Sequence, residues 1–117
     1  MKKYILRMRE TDKFVFDAIK KGKKTVETRA ATERYRKIQT EDTLVFVCGK
    51  EKIERKAGSV KHFASINEMA KKIDFKKIMP FCKNIEEVKN VYYSFPGYKE
   101  KIKKFGILVF NLKPVKT

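Results

Sequence analysis

The chain has 117 residues, 42% of them apolar, which fills one modest core and leaves no room for a second. Thirty lysines and arginines stand against 14 acidic residues, a formal net charge of +16. An excess of this size suits a polyanion such as RNA, DNA or an anionic membrane, with a solvated lysine-rich surface as the alternative.

In chain order, the N-terminal MKKYILRMRETDKF has a broken apolar run and no small-residue cleavage site. Neither a signal peptide nor a membrane-spanning helix is expected, and the cytoplasm is the expected compartment. Residues 3–8, KYILRM, read as a first strand. Thr11 can cap a helix with an apolar face of Phe14, Val15, Ala18 and Ile19, stopped by Gly22. Thr25 to Arg29 alternates enough for a short strand, and Tyr35 falls in the basic stretch after it. Residues 43–48, TLVFVC, suit a strand in a closed or covered sheet.

The following stretch sets Ile53, Arg55 and Ala57 on one phase and Val60, His62 and Ala64 on the other, so parity changes across Gly58 and Ser59. A bulge in a strongly bent strand has this effect. Ser65 with Glu68, and Asn84 with Glu87, form two capping boxes; the second helix carries Ile85, Val88, Tyr92 and Phe95. A helical turn is expected at Phe75 to Met79, a break at Pro96-Gly97, a buried strand at residues 105–112 and a basic tail from Lys113 to Thr117. The order implies one α+β domain over residues 1–117 on a mixed, curled sheet. No glycine-rich phosphate loop is present, which argues against a Rossmann-type nucleotide fold. Two cysteines, Cys48 and Cys82, and one histidine, His62, cannot compose a four-ligand zinc site, so neither a metal nor a cofactor is expected, and both cysteines should be buried and reduced.

Gly22, Lys24, Glu27 and Arg29 fall in the spacing GxKxxExR, which resembles the signature of ASCH domains. Ile38 and Asp42 before TLVFVC, the helix from Pro80 to Phe95 and the closing KFGIL of residues 104–108 extend the resemblance over nearly the whole chain. It implies a small PUA-like mixed β-barrel of five or six strands flanked by helices, with the signature loop in a basic cleft. Relatives are associated with RNA, and an RNA or nucleotide partner is implied here. Some small bacterial members resemble amidohydrolases acting on 4-acetylcytidine, in which the signature lysine works with a threonine three residues later and a distant glutamate. This chain has Glu27 at that threonine position. In the hydrolase reading Lys24 and Glu27 are catalytic, with Glu68 as an alternative proton carrier.

On an extended strand Thr25, Glu27 and Arg29 share one face and Val26 and Thr28 the other. Glu27 between Lys24 and Arg29 would be a paired carboxylate that fixes both cations, leaving their donors for a phosphate or a base edge, and could itself accept from an exocyclic amine such as that of cytosine. The alternative is an ion pair tying a strand to its neighbours. Lys23, Thr25 and Arg36 complete the expected binding residues of that stretch, with Tyr35 and Tyr93 as aromatics on which a base could stack.

Overall fold

The computed structural model describes residues 1–115; Lys116 and Thr117, the end of the expected basic tail, lie outside the described residues. Strand β1, Lys3–Met8, buries Leu6 and leaves Ile5 and Arg7 exposed, as a period of two requires. A single 3-10 turn, Glu10–Asp12, leads into helix α1, Lys13–Lys20, so Asp12 rather than Thr11 precedes the helix. Its buried stripe is Val15, Phe16, Ala18 and Ile19. Phe14, expected in that stripe, lies on its flank, 48% exposed, with its ring edge-on to Phe81 at 4.9 Å. Gly22, at φ 78°, then reverses the chain in the left-handed conformation that glycine adopts freely.

Strand β2, Val26–Ala30, and the unexpected one-turn helix α2, Glu33–Arg36, lead to β3, Thr43–Cys48, and the 13-residue β4, Glu51–Phe63. The β4 register shifts between Ala57 and Val60, the bulge that the parity change across Gly58 and Ser59 predicts. His62 follows the inner phase but is exposed at the strand's end, its Nε2 2.8 Å from the Phe105 carbonyl oxygen. Helices α3, Ile66–Lys72, and α5, Ile85–Ser94, start at Ser65 and Asn84, whose side chains accept from the Glu68 and Glu87 amides. Between them lies α4, Phe75–Ile78.

Pro96-Gly97 breaks the helix as expected, but the chain then forms another one, α6, Tyr98–Phe105, before β5, Ile107–Lys113. Gly97, at φ 71°, makes the turn, and Tyr98, Ile102 and Phe105 recur at helical spacing on one side of α6.

The five strands form one sheet in the order β1-β3-β4-β5-β2, with β1 parallel to β3 and all other pairs antiparallel. The sheet curls into a half-barrel. Leu6, Phe16, Leu44, Phe46, Leu108 and Phe110 fill one side, where α1 packs; Val26, Ala30, Ile107 and Val109 meet α3 to α6 on the other, around Met69, Val88 and Tyr92. Each fully buried side chain of this size contributes about 1.5–3 kcal/mol. Strand β2 is therefore packed on both faces and β1 on its inner face alone, with a gap between these two edge strands.

Both cysteines are buried free thiols. Among the described residues no group of His, Cys, Asp or Glu side chains could hold a metal ion, and no helix is long and apolar enough to cross a membrane.

Candidate functional site

Among the described residues only Lys24, Glu27, Thr28 and Asp42 are polar and buried. Asp42 has a structural task, because its carboxylate oxygens accept from the Lys2 amide at 3.0 Å and the Gln39 amide at 2.8 Å. The other three cluster at β2. The register opposes Glu27 to Phe110 and Arg29 to Leu108 on the inner face, whereas Thr28 points toward the helices and shares a hydrogen bond with the Tyr92 hydroxyl. The alternation expected for this strand is the one observed.

Glu27 Oε1 accepts from the Thr28 amide at 2.9 Å and lies 3.4 Å from Lys24 Nζ. Oε2 accepts from Arg29 Nε at 3.3 Å and Nη2 at 3.1 Å. A carboxylate has about four acceptor positions, and these contacts take all of them. The Lys24 ammonium, itself buried, also donates to the Ile78 carbonyl at 2.6 Å, which fastens the start of β2 to α4. Arg29 reaches the Tyr35 hydroxyl through Nη1 at 3.4 Å, and its guanidinium lies 5.5 Å from the Tyr35 ring centre.

Burial opposes every charge in this group. It drives the Lys24 pKa below its ordinary value despite the attraction of Glu27. Burial also raises the Glu27 carboxyl, but Lys24 and Arg29 outweigh it and the net pKa lies below the usual carboxylate range. For Arg29 the burial penalty is outweighed by Glu27, so its pKa stands above the ordinary value. Of the three, only Lys24 has its charged form disfavoured on balance.

Arg29 faces a cleft of about 170 Å³ in the gap between the two edge strands. Arg7, Met8 and Arg9 form one wall; Asp12 and Val15 come from the start of α1; Glu27 to Arg29 form the opposite wall; Phe95, Pro96 and Tyr98 of the α5–α6 turn close the end. Arg9 Nε donates to Asp12 Oδ2 at 2.7 Å and its guanidinium lies 5.9 Å from the Phe95 ring centre. Arg7 is exposed and has no ion-pair partner among the described residues. A second cavity, about 430 Å³, borders Thr25, Lys24 and Arg55, but Arg55 is already committed to the Glu54 and Ile19 carbonyls.

Of the residues expected from sequence, Lys24, Glu27, Arg29 and Tyr35 come together, with Glu27 and Arg29 lining the cleft. Thr25 borders the second cavity. Lys23 is exposed and does not line the cleft, and Arg36 donates to the Ala31 carbonyl at 2.7 Å. Tyr93 is 43% exposed on α5, beneath the Lys99 ammonium and away from the lining. Arg7, Met8, Arg9, Asp12, Pro96 and Tyr98 lie outside the site residues expected from sequence, which places Phe95 only in a helix stripe. The recurrence of Tyr98, Ile102 and Phe105 is the signal that finds the last wall.

Residues 11–116 match the family of the ASCH domain. The chain belongs to the ASCH domain family. Two solved structures share its architecture across nearly the whole length. The crystal structure of hypothetical protein PH0355 is 30% identical at a TM-score of 0.79, covering 98% of this chain and all of that one. The solution NMR structure of protein PF0455 from Pyrococcus furiosus is 29% identical at a TM-score of 0.73, covering 97% of this chain and all of that one. No curated protein matches the chain significantly. The curled five-stranded sheet with its flanking helices is the PUA-like fold, and in this ASCH domain the cleft opens where the half-barrel leaves its two edge strands unpaired.

Proposed function

We propose that this ASCH domain binds RNA or a nucleotide in the cleft between β1 and β2. The observation that carries the reading is Arg29, a cation held in place by Glu27 and Tyr35 at a cleft whose rim adds Arg7 and Arg9. A guanidinium oriented before the ligand arrives loses little entropy on binding and can donate to a phosphate or a base edge. The apolar walls Met8, Val15, Phe95 and Tyr98 suit the face of a base, and the excess of 16 positive charges favours a phosphate backbone outside. A cavity of about 170 Å³ is close to the ~150 Å³ engineered void that accepts benzene, so it suits a single base better than a polymer.

Lys24 supports this reading over hydrolysis of an acylated nucleoside. Its ammonium is buried and donates to Ile78 and Glu27, and of the two cavities Lys24 borders only the second, whereas a catalytic lysine must reach a substrate held in the cleft.

Fluorescence anisotropy with a short single-stranded RNA at low salt tests the proposal. The wild type should bind, and Arg7→Glu, a change at an exposed side chain, should weaken binding by about tenfold, roughly 1.4 kcal/mol. No binding by the wild type, or acetate release from N4-acetylcytidine that Lys24→Ala abolishes, would overturn it.

A further inference from the structure

The hydrogen-bond inventory of the cleft specifies more than a cation. Glu27 has no acceptor position left, so its influence on a ligand passes through Arg29. Arg29 commits Nε–H and one Nη2–H to Glu27 and one Nη1–H to Tyr35. One N–H remains on each terminal nitrogen, so the guanidinium keeps two donors for a ligand's acceptors. Asp12 lines the same cavity with its side chain 14% exposed. Its Oδ2 takes Arg9, while Oδ1 accepts no hydrogen bond among the described residues and can receive donors from a ligand.

Guanine carries two adjacent acceptors, O6 and N7, and two adjacent donors, N1–H and N2–H2. We propose that the cleft selects guanine, with O6 and N7 on the two free Arg29 donors and N1–H and N2–H2 on Asp12, the ring lying against the cleft's apolar walls. Adenine sets its N6 donors against the donors of Arg29. Uracil places N3–H between its two acceptors. Cytosine supplies two acceptors but a single donor group for Asp12. Each wrong base leaves a partly buried polar group unpaired, which is the main source of discrimination in such sites.

The inference rests on the nucleic-acid reading of the cleft and adds the base that it takes. The test uses the full chain and short single-stranded oligouridylates carrying one central guanine, adenine, cytosine, inosine or 7-deazaguanine, followed by anisotropy at fixed salt. Guanine should bind roughly 5- to 100-fold more tightly than adenine, cytosine or uracil. Inosine, which lacks N2, and 7-deazaguanine, which lacks the N7 acceptor, should each lose part of that preference without any change to the protein. Asp12→Asn should erase the distinction between guanine and inosine while leaving the response to 7-deazaguanine. Equal, salt-sensitive binding of every oligonucleotide, or a preference for another base, overturns guanine selection and leaves the nucleic-acid reading standing. Absence of binding to any of them overturns both.

Discussion

Glu27 sits between two cations in a place where burial penalises all three charges, so the energetics of β2 hang on one carboxylate. Glu27→Gln keeps the shape but leaves Lys24 and Arg29 facing each other with no counter-charge. Breaking a buried pair on one side costs about 3–5 kcal/mol, and a denaturant midpoint should register it. Binding should weaken as well, since Arg29 loses the contacts that aim its donors; a variant as stable as the wild type would refute the triad. The pH dependence has a defined sign. A carboxyl whose folded pKa is depressed contributes stability above its unfolded value of about 4.5, and that contribution is lost as pH falls through the folded value. The stability difference between wild type and Glu27→Gln should therefore be full above pH 4.5 and shrink below it, as thermal midpoints across an acid series would show. The period of two was enough to place Glu27 and Arg29 on one face from the sequence. It could not place the Lys24 ammonium, whose partner is the Ile78 carbonyl 54 residues away.

The last wall of the cleft depends on α6, and α6 depends on two glycines. Gly106, at φ 81° and ψ −164°, ends the helix, donates to the Ile102 carbonyl and accepts from the Ala31 amide, joining α6 to β2 and β5. A Cβ there would lie 2.5 Å from the Phe63 carbonyl oxygen and 2.6 Å from His62 Nε2. Gly106→Ala should cost about 3 kcal/mol or more, because this backbone region is essentially restricted to glycine and the nearest obstacle is main chain. Gly22→Ala, at φ 78° with nothing within 4 Å of its Cβ, should cost only about 1–2 kcal/mol. Equal denaturation midpoints for the two variants would contradict this. At this scale the caps at Ser65 and Asn84 and the β4 bulge were legible, since each is written in a few adjacent residues. Helix α6 was not, because YKEKIKKF has only three apolar positions in eight residues and the FGILVFNL run overlaps its end. The unread helix concealed Tyr98, and Arg7 and Arg9 were hidden because exposed cations look alike until the opposite edge strand is in place.

Across the whole molecule the positive charge is spread over many exposed lysines, while the oriented donors are concentrated in the gap between β1 and β2. These two distributions make separable contributions. Lysines at the rim should add affinity with little base preference, and roughly three to five phosphate contacts imply a log-log salt slope of about −2 to −3.5 for single-stranded RNA. A flat response between low and physiological salt would reduce the lysines to a solubility feature. Length, charge and element order were enough to foresee an α+β fold on a curled sheet; the site's location was not, because it arises from edge strands that are adjacent in space and at opposite ends of the strand order. The most direct test of the cleft is an NMR titration of the uniformly 15N-labelled chain with a short single-stranded RNA, following every backbone amide. The account predicts that the largest shifts fall on Met8, Asp12, Glu27 to Arg29, Phe95 and Tyr98. Shifts confined to the lysine-rich outer surface of β4, α3 and α6, with the cleft amides unmoved, would contradict it.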